Sequence, residues 1–91
     1  MINISEQAKA LGFDISVAIT ANVWDVIGGY ESRIERTLHE LHKTIQKPRP
    51  IMLFHVLFFE PELKAFGFKA VIRENTIFVM LSTEKIQEAL S

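Results

Sequence analysis

Residues 51–59 read Ile-Met-Leu-Phe-His-Val-Leu-Phe-Phe, a run whose only polar member is His55. It is about half the ~20 apolar residues that a membrane-spanning helix needs. A strand with one solvated face alternates apolar and polar side chains. This segment is apolar at both parities, which predicts a strand covered on both faces. His55, alone among apolar neighbours, reads as a core or interface residue. A chain of 91 residues is long enough for one modest core, so a single domain over 1–91 is expected. Apolar residues make up 48% of it and cysteine is absent, so the core must hold by packing alone.

The rest of the chain is punctuated by caps and breakers. Ser5 is suited to cap a helix from Glu6 that Gly12 stops, with Ile2–Ile4 as an extended lead-in. Ile15–Ile19 reads as a short strand. Thr20 then caps a second helix, which puts Val23, Trp24, Val26 and Ile27 on one arc and ends at Gly28-Gly29. Ser32 and Glu35 have capping-box spacing, and Ile34, Leu38, Leu41 and Ile45 make one stripe, so a long helix is expected over 33–46, closed by Pro48 and Pro50. On this reading Ser32→Ala costs about 1 kcal/mol. Phe66–Arg73 and Thr76–Ser82 pair across Glu74-Asn75, but glutamate suits a primed two-residue turn poorly, which points to a longer loop. Thr83 is placed to cap a terminal helix over 84–90. The sum is an α+β fold: an antiparallel sheet of three or four strands from residues 51–82, a long helix packed on one face, and short N-terminal helices completing the core.

Pairing across Glu74-Asn75 sorts the hairpin into two faces. One carries Phe68 with Leu81, Ala70 with Val79, and Ile72 with Ile77. The other carries Lys69 with Met80, Val71 with Phe78, and Arg73 with Thr76. The second set is too apolar for ordinary solvent surface and too charged for interior. It predicts a homodimer or larger assembly using Val71, Phe78 and Met80.

Ten basic and eleven acidic side chains give a net charge of −1, so no chain-wide attraction to nucleic acid exists. On a helical wheel, however, Arg33, Arg36, Lys43 and Lys47 gather with Glu40 opposite the apolar stripe. That face is the candidate contact for phosphate or an acidic partner. Two helices joined by a glycine turn and followed by a hairpin is also the order of a winged helix, which keeps nucleic-acid regulation as the alternative. Against it, Ile51–Phe59 and Ile77–Leu81 are too apolar for a solvent-exposed wing.

Other motifs carry less. His39-Glu40-Leu41-His42 spaces its histidines three apart where the zinc-protease motif needs four, and Leu41 between them belongs to the core stripe; no metal is expected. Lys64-Ala65-Phe66-Gly67-Phe68-Lys69 resembles half of the RNA-recognition aromatic signature, but that fold needs a helix where only Glu74-Asn75 intervenes. There is no serine elbow and no glycine-rich phosphate loop, and neither catalysis nor a cofactor is expected. Met1–Glu6 lacks the basic and apolar parts of a signal peptide, so a cytoplasmic protein outside the membrane is expected.

Ile4-Ser5-Glu6-Gln7-Ala8-Lys9-Ala10-Leu11-Gly12-Phe13, then Val17-Ala18-Ile19-Thr20 and Val23-Trp24, is similar to the opening of an uncharacterised bacterial family borne on plasmids and phages, domain of unknown function 6573. Farther on, Phe68-Lys69-Ala70-Val71 and Ile77-Phe78-Val79-Met80-Leu81 resemble that family's closing strands. Ser16 stands where the family usually has proline, and the helix-to-strand stretch is shorter here. The resemblance implies a mobile-element accessory protein and carries no established activity. With the residue-level reading it makes a non-enzymatic accessory or interaction protein the leading expectation.

Overall fold

The computed structural model describes Met1–Ser91. Along the chain come β1 (Ile2–Asn3), α1 (Ser5–Ala10), β2 (Ser16–Ile19), α2 (Ala21–Ile27), α3 (Glu31–Thr44), β3 (Met52–Phe58), β4 (Lys64–Arg73), β5 (Thr76–Leu81) and α4 (Ile86–Ala89). The strands form one five-stranded sheet in the order β1-β2-β5-β4-β3. All neighbours are antiparallel except β2 and β5, which run parallel. The α+β class is as expected, but the sheet is wider and mixed. Val17 and Ile19 come level with Ile77 and Val79, and Thr20 N–H donates to the Val79 carbonyl at 3.1 Å. The N-terminal segments thereby cover an edge of β5 that the shorter sheet would have left open.

The helices differ from expectation at their caps. Thr20 caps α2 as read: its Oγ1 accepts from Val23 N–H at 3.2 Å, and Gly28 ends the helix at a φ of 62°. Ser5, by contrast, is the first helical residue. Asn3 Oδ1 accepts its N–H at 2.8 Å, while its own hydroxyl reaches across to the backbone of Val17. Helix α3 starts earlier than the capping-box spacing implied, with Tyr30 at the cap and no side chain bonding the first turn. Ser32 is consequently a first-turn residue, and Ser32→Ala should change stability by less than about 0.5 kcal/mol in urea melts. The stripe itself is as read, with Ile34, Leu38 and Leu41 buried. Thr83 caps nothing, because the last helix begins only after Lys85. Glu84 turns instead toward α2, accepting from Thr20 Oγ1 (2.8 Å), Asn22 Nδ2 (3.0 Å) and Leu81 N–H (2.7 Å).

The β4–β5 hairpin has the expected register, Phe68 with Leu81, Ala70 with Val79 and Ile72 with Ile77. Its loop is not longer. Glu74 and Asn75 form a two-residue turn with φ of 51° and 59°, the signs that a primed turn requires. Registry of the flanking strands holds glutamate in a conformation it adopts reluctantly. Replacing the pair by Asn-Gly (Glu74→Asn, Asn75→Gly) should therefore stabilise the domain by about 1 kcal/mol, read from thermal or urea unfolding.

Helices α1, α2 and α3 all lie on one face of the sheet. Ala8, Val23, Ile27, Leu38 and Leu41 close over Val17, Ile19, Phe54, Phe58, Phe68 and Val79 in a single cluster. The N-terminal helices thus share a face with α3 and do not cover the other one. That outer face divides in two. At the β2–β5 end the C-terminal helix turns back over it, so that Ala89 and Leu90 line a hollow with Phe78, Arg73 and Met1. At the β3–β4 end no helix lies over it.

Candidate interaction surface

The buried half of β3 belongs to the core: Met52, Phe54, Val56 and Phe58 face the helices. The alternate residues Leu53, His55 and Leu57 project from the uncovered outer face, Leu53 at 67% exposure and Leu57 at 40%. The strand is therefore covered on one face and not on both. Two further apolar side chains at its end, Phe59 and Leu63, are more than half exposed. Exposed leucines scattered singly are ordinary, whereas Leu53 and Leu57 flank His55 on one uncovered sheet face.

The same strand is open sideways. β3 is the last strand of the sheet. His55 lies opposite Gly67 of β4, and the Gly67 carbonyl accepts from Ser82 N–H at 3.0 Å. The polar groups of Gly67 thus turn toward β5, which makes His55–Gly67 a non-hydrogen-bonded pair. Backbone direction alternates along a strand, so the N–H and C=O of Leu53, His55 and Leu57 point to the free edge. Gly67 also makes room on this face: a Cβ there would come within 2.9 Å of Ser82 Oγ and 3.5 Å of His55 Nε2.

Two arginines hold the strand and its exit loop to α3. Arg33 is buried at 8% exposure. Its Nη1 donates to the Val26 carbonyl at 2.5 Å and its Nε to the Glu60 carbonyl at 2.7 Å. The guanidinium also lies over the rings of Phe58 (4.8 Å) and Tyr30 (5.3 Å). Arg36 donates through Nε to the Leu57 carbonyl at 2.6 Å, on the open edge, and covers the Phe59 ring at 4.7 Å.

No family model, curated protein or solved structure matches the chain.

The observed geometry redistributes the residues named from sequence. Arg33, Arg36, Lys43 and Lys47 do not make one free basic face: Arg33 is interior, Arg36 bonds backbone, Lys43 pairs with Glu40 at 3.3 Å, and only Lys47 is exposed and unpaired. A helical wheel places residues by angle and cannot show that the neighbouring loop offers carbonyls to the two arginines. Val71, Phe78 and Met80 do share a face as expected, but they are no open interface. Val71 (3% exposed) and Met80 (0%) are buried and Phe78 is half-buried, lining a hollow with Ala89 and Leu90 from the end of α4. His39 and His42 line a hollow with Glu35 and Arg36. His42 packs edge-on against Phe13 at 5.3 Å, and no three metal-binding side chains come together. No helix is long and apolar enough to cross a membrane.

Sequence reasoning passed over Leu53, Leu57 and the open edge because both parities of β3 are apolar. No local signal distinguishes this edge strand from an inner one, because chain order leaves β2 free to lie beside either β3 or β5.

Proposed function

We propose that this chain is a non-enzymatic interaction protein which binds an extended protein segment along β3, by adding that segment to the sheet edge. The observation that carries the reading is the coincidence of an open edge with an uncovered apolar face on one strand, Leu53 standing at 67% exposure. Backbone groups on the edge supply affinity in such docking, and alternate side chains supply selectivity. The resemblance of the N-terminal third to a mobile-element family fits an accessory role of this kind, in a cytoplasmic setting. Nucleic-acid contact through α3 has less support, since two of its three cations, Arg33 and Arg36, bond backbone carbonyls.

Titration with an extended apolar peptide, followed by amide shifts, tests the reading. Changes should concentrate at Leu53, His55 and Leu57 and spare the β1–β2 edge. Shifts that map instead to Lys43 and Lys47 on adding duplex DNA, with none at β3, would replace this reading with the nucleic-acid one.

A further inference from the structure

We propose that the segment docked on β3 is β3 of a second copy, paired antiparallel about a two-fold axis at His55. The inference rests on the strand-docking reading above and names its partner.

The strand is close to its own complement. Antiparallel pairing about His55 sets Leu53 against Leu57 of the second copy, and brings Ile51 and Phe59, just beyond the two ends of the strand, to the same end from opposite copies. Each apolar residue thus meets an apolar residue, and only the histidines meet each other. Those side chains are the exposed ones, with Ile51 at 49% and Phe59 at 56%. The backbone agrees with this register. Leu53, His55 and Leu57 are the residues whose N–H and C=O face the edge, so His55 pairs with its equivalent through two hydrogen bonds and the leucines through two more on each side. A slip of two residues either way sets His55 against a leucine and loses an apolar pair.

Charge selects the same arrangement. Lys47 and Arg49 precede the strand; Glu60 and Glu62 follow it. Antiparallel pairing brings the basic approach of each copy to the same end of the paired strands as the acidic exit of the other. Parallel pairing would set like charges together. Within one chain Lys47, Arg49 and Glu60 form no ion pair, and Glu62 meets only Lys64, at 3.2 Å. Arg36 already bonds the Leu57 carbonyl; that oxygen has a second lone pair for the incoming amide.

The absence of cysteine makes the register directly testable. His55→Cys puts two thiols at the axis, where opposed Cα atoms stand about 5.5 Å apart, within disulfide reach. Under mild oxidation this variant should convert to covalent dimers at least about tenfold faster than Asn75→Cys, whose thiol sits at the far hairpin tip. The unmodified chain should show a dimer mass by light scattering that weakens with salt. Leu53→Lys, which alters an exposed position and should keep its far-ultraviolet circular dichroism, should weaken the dimer by at least about tenfold. A monomer mass at about 100 μM, with His55→Cys cross-linking no faster than Asn75→Cys, overturns self-pairing. Peptide-induced shifts at Leu53, His55 and Leu57 in that monomer would leave strand docking standing with another occupant; their absence would bring down both.

Discussion

Arg33→Ala should cost about 3 kcal/mol of folding stability, out of the roughly 5–13 kcal/mol expected of a domain this size. The substitution strips the Val26 and Glu60 carbonyls of their donor. It also removes the cation over Phe58, a fully buried core ring, and opens a void between α3 and the β3 exit loop. Arg33 has no carboxylate partner; carbonyl oxygens and ring faces compensate its desolvation. Arg33→Lys should recover only part of the loss, because an ammonium is a point charge without the planar fork that serves two divergent carbonyls while lying over a ring. Urea melts of the three proteins check the ordering. A near-neutral Arg33→Ala would mean that the guanidinium is solvated and the exit loop is held by something else.

Met80→Glu should unfold the chain and not merely change its assembly. Met80 has no exposed surface, on a face that the sequence marked as an oligomer contact. A carboxylate placed there faces only the half-buried Lys69 across the hairpin, and taking both charges out of water costs on the order of 4 kcal/mol or more. Leu53→Lys, on the uncovered part of the same face, should change the stability of the dilute monomer by less than about 1 kcal/mol, mainly through the like charge of Lys69 opposite it. Circular dichroism and urea melts distinguish the two cases. A folded, monomeric Met80→Glu protein would restore Met80 to an interface and displace α4 from that face.

Local chemistry accounts for most of what the sequence disclosed. The α3 stripe, the Thr20 cap, the stops at Gly12 and Gly28 and the register of the β4–β5 hairpin each depend on neighbours within a few residues or across one short turn. Features that depend on distant partners were illegible. Four residues of β2 give no hint that they run parallel to β5, some sixty positions later. Glu84 looks like a first-turn helix acid until Thr20 and Asn22 are brought beside it. Arg33 and Arg36 look like a solvated basic face until the loop after β3 presents its carbonyls. The candidate surface shows the same limit. That the second face was too apolar for solvent was readable from residue types, but which part of it α4 covers was not. Burial moved Val71 and Met80 to the interior and left Leu53, His55 and Leu57 outside.

The open edge of β3 is tested most directly by amide hydrogen exchange, residue by residue, at low and high protein concentration. Phe54 and Val56 donate toward β4 and should be protected at both. Leu53, His55 and Leu57 should exchange rapidly in dilute protein and become protected as concentration rises, giving an alternating pattern along one strand. Exchange at Leu53, His55 and Leu57 that is already slow in the dilute monomer would contradict the open edge, and exchange that is fast and unchanged at every concentration would contradict self-pairing.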